Sequence, residues 1–456
     1  MMSRTHPKRR LFHRMTAALL AAALMASAAP VKAISPATDV PQVLSAGTTF
    51  SLTQSARSMD FNEDWTFSLN PSGNDATLSA AGFDDSAWRT LNLPHDWSIE
   101  QDFTNQVSSE IGHLPGGTGW YRKSFVLPAE LQGKRINIDF DGVYMDSHIW
   151  VNGKKVGNYP NGYIPFSFDV TDYVVCDGKT ENVIAVKVTN ITQSGNVGNQ
   201  SSRWYSGSGI YRDVHMTVTD PVHVAQYGTV VSTPDIASEV ESGNITVNVG
   251  TTVENETKEA VDVQVRSTIL NYKDGSAFGE PITSEAQTVP ANGKVDVAQT
   301  MTADHPGLWS PDSPTLYKMK TEILVNDQVK DTYETRFGFS WSEFLTATEA
   351  EKEGTAFKLN GEPMKLHGVC MHHDQGALGA VGNAAAIERQ MKMMKEMGVN
   401  SIRVTHNPAS PELMRICDEM GLTVVEEAFD TWYGGKKNYD YHRFFEAACS
   451  YPGVEE

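Results

Sequence analysis

The hydrophobic period changes once along this chain, near residue 357, and that change constrains the fold more than any other feature. From about Phe50 to Arg336 apolar residues recur every second position in short runs separated by turns. Ile136, Ile138 and Phe140 alternate with Asn137 and Asp139; Ile184, Val186 and Val188 with Ala185 and Lys187; Val214, Met216 and Val218 follow the same rule. Period two places one face of each strand in a core and the other in water. Asn152-Gly153 accepts positive φ at both central positions of a hairpin turn and separates Ile149/Val151 from Val156. Many short strands without a helical run predict a β-sandwich or jelly roll over 47–220. The alternations Ile245/Val247/Val249 and Val261/Val263/Val265 predict an immunoglobulin-like β-sandwich over 221–336.

Beyond Phe357 the pattern becomes strand, helix, strand, helix, strand. An Asn360-Gly361 turn leads into a first strand over Met364 to Met371. Ile387, Met391, Met394 and Met397 recur at helical spacing up to Gly398, with Met393 also assigned to the core. Ser401 to Val404 is a second strand; Ser410 caps a second helix that has Pro411 at its first position and ends at Gly421. Leu422 to Val425 is a third strand, apolar enough to be buried on both faces of a parallel sheet. Residues 337–456 therefore read as the first part of a (β/α)8 TIM barrel, which in full takes about 250 residues.

Each of these three strands runs into polar residues at its C-terminal end. The first meets His372, His373 and Asp374; the second Thr405, His406 and Asn407; the third Glu426, Glu427, Asp430 and Trp432. In a parallel barrel those ends share the face that carries the active site. Imidazoles and amides there hold hydroxyl groups, and Arg403 can orient a carboxylate.

Charge and cysteine content narrow the partners. Residues 1–33 join a basic stretch (Arg4, Lys8, Arg9, Arg10, Arg14) to an apolar run from Met15 to Ala29, with small residues offering cleavage after Ala28 or Ala33. This is the pattern of a secretory signal peptide, and its apolar run is shorter than the ~20 residues of a spanning helix. Export to the cell envelope or the exterior is the expectation. Without that leader the chain holds 31 basic and 56 acidic residues, a net charge of −25. Nucleic acid and anionic membrane surfaces are poor partners for such a charge, and a neutral substrate such as a sugar fits it. Cys176, Cys370, Cys417 and Cys449 are too scattered for a disulfide framework or metal site and are expected to be buried thiols. No HExxH-like spacing occurs, so no structural zinc is expected, and no metal or other cofactor is assigned. Gly116-Gly117-Thr118-Gly119 has no following helix and is no phosphate cradle.

Longer segments resemble one family. Asn400-Ser401-Ile402-Arg403-Val404-Thr405-His406-Asn407-Pro408, then Cys417-Asp418-Glu419-Met420-Gly421-Leu422 and Glu426-Glu427-Ala428, resemble the first signature of glycoside hydrolase family 2, which contains β-galactosidases, β-glucuronidases and β-mannosidases. Leu359-Asn360-Gly361, Gly368-Val369-Cys370 and His372-His373-Asp374 resemble its entry into the barrel. Pro94-His95-Asp96-Trp97, Gly119-Trp120-Tyr121-Arg122 and the run from Arg203 to Arg212 resemble its N-terminal sugar-binding domain. The resemblance implies retaining hydrolysis of terminal β-linked sugars by two Glu ~5 to 5.5 Å apart. In the family the acid/base Glu follows an Asn at the fourth barrel strand, and no Asn-Glu pair occurs between Tyr433 and Glu456. Both catalytic Glu are therefore expected beyond Glu456, and the chain is expected to be inactive alone.

By the same resemblance, His372, Arg403, His406, Asn407 and Glu427 bind substrate, together with Asn161, which falls where some β-galactosidases carry an Asp. The His372-His373-Asp374 and Gly376-Ala377-Leu378-Gly379 segments look most like the galactosidase branch. A β-linked oligosaccharide or glycoside is the implied partner, with a homo-oligomer possible in the full-length form. The alternatives are a β-glucuronidase or β-mannosidase of the same family, or a non-catalytic secreted carbohydrate-binding protein. Trp97, Trp120, Tyr121, Trp204, Tyr205 and Tyr211 read mainly as core and domain-interface aromatics.

Overall fold

The structure is a computed structural model and describes residues 57–190, 202–428, 430 and 436. The leader, Trp432 and Cys449 lie outside the described residues.

The first ten strands build a sandwich of two antiparallel sheets: β1 (Ser58–Asp60), β2 (Trp65–Leu69), β3 (Arg89–Leu91), β4 (Gly117–Val126), β5 (Arg135–Phe140), β6 (Ser147–Val151), β7 (Lys154–Tyr159), β8 (Phe166–Asp169), β9 (Glu181–Asn190) and β10 (Val214–Thr219). One sheet runs β3-β2-β4-β9-β6-β7 and the other β1-β10-β5-β8. Ile136, Ile138 and Phe140 of β5 and Val214 and Met216 of β10 point inward and are buried. Each such side chain contributes roughly 1.5–3 kcal/mol relative to exposure. Asn152 and Gly153 turn β6 into β7 with φ of 51° and 77°, the conformation their side chains permit. Gly119 on β4 leaves room for two rings: a Cβ there would lie 2.5 Å from Trp97 and 2.9 Å from Phe67.

The second sandwich packs the sheet of β11 (Val222–Ser232), β12 (Asn244–Asn255) and β16 (Gly293–Asp304) on that of β13 (Val261–Asn271), β14 (Ile282–Thr283), β15 (Gln287–Val289), β17 (Tyr317–Val325) and β18 (Gln328–Phe337). Ile245, Val247, Val249, Val263 and Val265 are buried between the sheets. A small sheet of β19 (Ser342–Phe344), β20 (Phe357–Leu359) and β21 (Glu362–Pro363) leads out of it.

The last described region is parallel. β22 (Gly368–Met371), β23 (Ser401–Val404) and β24 (Thr423–Val425) pair in that order, joined by helices Ala384–Glu396 and Pro411–Met420. Two βα units and a third parallel strand are the start of a TIM barrel. Ser410 caps the second helix through a bond from Leu413 N, with Pro411 in its first turn, and Gly421 ends it at φ 72°. Among the described residues no helix is long and apolar enough to cross a membrane.

Four local expectations change. The first barrel strand begins at Gly368, four residues later than the apolar run suggests, because Glu362–Pro363 folds back on β20 through the Asn360-Gly361 turn. β24 begins at Thr423, and Val425 is exposed because no strand pairs with its far edge among the described residues. Met391 is buried but Met393 and Met397 are exposed; two helical residues span ~200°, which turns Met393 to the opposite face, and Met397 lies past the helix end. Among the described residues only one thiol, Cys417, is buried; Cys176 is half-buried and Cys370 exposed. Cys370 alternates with Val369 and Met371, which pack on the helices, so its side chain faces the barrel interior.

Gly119→Ala forces a methyl group against Trp97 and Phe67 and is expected to destabilise the protein by ~1–3 kcal/mol. Urea denaturation measures it, and an unchanged midpoint would show that these rings can shift.

Candidate functional site

Strand parity sorts the polar residues at the C-terminal ends. In the parallel register Cys370 pairs with Arg403 and Arg403 with Val425, a row on the interior face. Glu427, two residues beyond Val425, keeps that side. Its Oε1 accepts from Arg403 Nε at 2.7 Å, with Arg403 Nη2 forming a second contact, and its Oε2 accepts from His406 Nδ1 at 2.6 Å. The small desolvation of Glu427 is outweighed by these bonds and the two adjacent charges, which hold its carboxyl below the usual glutamate range. Glu426 takes the opposite side, where it accepts from Ala409 N at 2.6 Å. Burial raises its pKa, against that bond and the nearby Arg212 charge. Both residues tie down the loop that follows the second strand.

Arg212, of the first sandwich, holds that loop from the other direction. The guanidinium is buried and donates to Pro408 O at 2.9 Å, Ala409 O at 3.2 Å and Tyr163 O at 2.8 Å. Thr405 N extends the ladder to Met371 O at 2.9 Å, and the Thr405–His406 peptide is cis. A second clamp is Asp96, buried, which accepts from Ser98 N, Ser208 N and Tyr205 Oη in its own domain and from Ala380 N, at 2.9 Å, after the first barrel strand. Burial raises the Asp96 pKa while these bonds oppose it. Gly207 (φ 70°) allows the close approach, since a Cβ there would lie 2.5 Å from the Ala380 Cβ and 2.7 Å from Asp96.

Trp204 comes from the same sandwich. Its ring stacks on His372 with centroids 4.9 Å apart and meets His406 edge-on at 5.5 Å, while its indole N–H donates to Tyr163 Oη at 3.1 Å. His372 and His406 are themselves edge-to-face at 5.6 Å. Burial and the neighbouring His406 lower the His372 pKa, keeping a neutral ring that can both donate and accept. Arg203 pairs with Asp430 at 2.5 Å, and Lys436 reaches the same carboxylate.

His372, Arg403, His406 and Glu427 are thus brought together. Asn407 is buried and lines a small cavity of about 30 Å³ with His372 and Gln375, room for about one water rather than a sugar ring. Asn161 is not brought into the cluster: its Oδ1 accepts from Tyr163 N at 2.8 Å and Ile164 N at 3.1 Å, shaping the loop that presents Tyr163. The sequence reading missed Trp204, Tyr163 and Arg212 as site-forming residues; the aromatic and basic run from Arg203 to Arg212 was the available signal. Asp141, Asp213 and His215 bring ligand atoms within 4.8 Å of one another on the first sandwich. Burial lowers the His215 pKa, but Asp141, Asp213 and Asp139 outweigh it and raise the value to about 9.

A jelly-roll sandwich, an immunoglobulin-like sandwich and the start of a TIM barrel, with imidazole, guanidinium and carboxylate groups at the strand ends, define a modular three-domain architecture. Three family models match in sequence: the sugar-binding domain of glycosyl hydrolases family 2 over residues 58–221, the family 2 domain over 222–339 and its TIM barrel domain over 351–444. The chain belongs to glycosyl hydrolase family 2. It is 42% identical over 404 residues to β-galactosidase BoGH2A of Bacteroides ovatus, covering 88% of this chain and 44% of that protein. It is 36% identical over 387 residues to a putative β-glucuronidase of Formosa agariphila, covering 82% and 33%. A solved family 2 member from Bacteroides cellulosilyticus superposes with TM-score 0.77 at 37% identity, covering 86% of this chain and 48% of that one. The chain therefore spans less than half the length of these relatives.

Two outcomes test the junction. Arg212→Ala leaves the carbonyls of Tyr163, Pro408 and Ala409 without this donor and is expected to cost ~2–4 kcal/mol in urea denaturation; a loss under ~0.5 kcal/mol, the range of ordinary surface substitutions, would refute the clamp. The second concerns pH. His373 is half-buried, packs against Tyr163 and Tyr211 and donates to Ser206 O at 3.1 Å; its desolvation dominates and pushes its pKa down to about 4. With an ordinary value near ~6.5 when unfolded, its contribution is complete above that pH and is lost as pH falls toward 4. His373→Gln should flatten the fall of the urea midpoint over this interval, and parallel profiles would contradict it.

Proposed function

We propose that this chain supplies the sugar-holding part of a retaining exo-β-galactosidase of family 2. The observation that carries the reading is the arrangement at the strand ends: Trp204, His372 and His406 form an aromatic wall beside the Arg403–Glu427–His406 network. Aromatic faces stack on the apolar C–H face of a pyranose, and imidazole and guanidinium groups address its hydroxyls. The Bacteroides ovatus β-galactosidase relative supports galactose as the sugar. A β-glucuronidase is the second reading, favoured by the Formosa agariphila relative. The basic-then-apolar leader supports export, so that a neutral β-linked oligosaccharide is met outside the cytoplasm.

Chemistry of this class needs one carboxylic acid to protonate the leaving oxygen and one carboxylate to attack the anomeric carbon, ~5 to 5.5 Å apart. Glu427 is engaged by two cationic or imidazole donors and Glu426 by a backbone N–H, so both hold positioning roles and the two catalytic carboxylates fall to other parts of the full-length enzyme.

In titrations followed by the Trp204 indole N–H resonance, galactose is expected to bind and His372→Ala to weaken it at least ~10-fold, or ~1.4 kcal/mol. Tighter binding of glucuronate would favour the second reading. The 456-residue polypeptide is expected to release no phenol from aryl β-galactosides. Turnover that survives repurification and disappears in Glu427→Gln would overturn the positioning role.

A further inference from the structure

We propose that the cleft between the two sandwiches is a second saccharide-binding site, distinct from the strand ends and selective for neutral chains. Its floor is the outer face of the β1-β10-β5-β8 sheet. Ile136, Ile138 and Phe140 of β5 point into the core, so parity turns Asn137 and Asp139 outward. Register places Thr217 of β10 beside Asn137 and Ser167 of β8 beside Asp139, and all four are half-buried. A row of hydroxyl, amide and carboxylate groups along a sheet is a floor that matches the hydroxyls of a sugar chain.

The opposite wall supplies aromatic rings. Tyr227 sits at the break in register between Val224 and Thr229, at φ 55°, and its side chain is 69% exposed. A left-handed backbone carrying a large exposed aromatic is uncommon and buries little apolar surface in return. Tyr333 lies on the same cleft, its ring under the Arg57 guanidinium at 4.8 Å. The open cleft has a volume of about 840 Å³, within the ~300–1,000 Å³ of small-ligand sites. Polar floor and aromatic wall together suit a pyranose, which stacks one face and hydrogen-bonds its rim.

Charge selects the class of sugar. Every basic residue on the cleft already has an acidic partner: Arg57 with Asp331, Arg135 with Asp169 and Glu256, Lys294 with Glu254, and Lys320 with Glu322. No cation is left over among the described residues to meet a uronate or a phosphate. Asp139 accepts from Thr217 Oγ1 and, at 3.5 Å, from Gln226 Nε2, an acid that repels anionic chains. The cleft is therefore matched to neutral β-linked polysaccharide, and this holds whichever sugar occupies the strand ends.

Affinity electrophoresis of the whole chain in native gels containing neutral β-glucan, neutral galactomannan or polygalacturonate tests this. Retardation is expected in at least one neutral gel and not in polygalacturonate. Tyr227→Gly, which suits the left-handed backbone, and Ser167→Trp, which fills the floor, should each abolish it, with melting temperatures showing that both variants fold. His372→Ala should retain it, which separates this site from the strand ends. Absence of retardation in both neutral gels, retardation only by polygalacturonate, or retardation that survives Tyr227→Gly and is lost in His372→Ala would each overturn the proposal.

Discussion

One buried guanidinium holds the architecture together. Arg212 belongs to the first sandwich, yet two of its carbonyl partners, Pro408 and Ala409, lie in the loop that follows the second barrel strand, while the other two belong to Tyr163 and Asp141. A buried cation without acceptors is costly, so Arg212 is comfortable only when both loops are in place. The same condition applies in mirror form to Asp96, whose carboxylate collects N–H groups from both domains. The jelly roll is accordingly part of the site. It supplies the wall residue Trp204 and fixes the loop that carries His406 and Asn407.

The division of labour between Glu426 and Glu427 follows from strand parity alone. Adjacent residues leave a strand on opposite sides. Glu427 therefore falls on the interior row with Arg403, where two donors keep it ionised, while Glu426 turns outward to the Ala409 amide and is raised by burial. Both carboxylates are engaged in hydrogen bonds that order the loop after the second barrel strand.

Much of this was legible in the sequence, for a physical reason. Period two and period 3.6 are properties of local backbone geometry, so the sandwiches, the helix caps at Ser410 and Gly421 and the polar residues closing each barrel strand could be read directly. What could not be read depends on contacts between distant segments. Trp204 looked like one more core aromatic because nothing local shows that it lands on His372. Arg212 stood only as the end of a run resembling the sugar-binding domain, and nothing local shows that it reaches Pro408 and Ala409. Asn161 was assigned to sugar by resemblance, but its side chain is used by its own loop. Met393 and Met397 show the opposite error: apolar composition suggested burial where helical phase forbids it.

If the clamp from the first sandwich orders the strand-end loop, its loss should be felt first in that loop. Amide hydrogen exchange resolved by residue, comparing the protein with its Arg212→Ala variant under native conditions, measures this directly. Exchange at His406 and Asn407 should accelerate strongly while Ile138 and Val186, in the core of the first sandwich, stay protected. Unchanged protection at His406 and Asn407 would show that the loop is ordered by the barrel alone and would contradict the central role of the jelly roll.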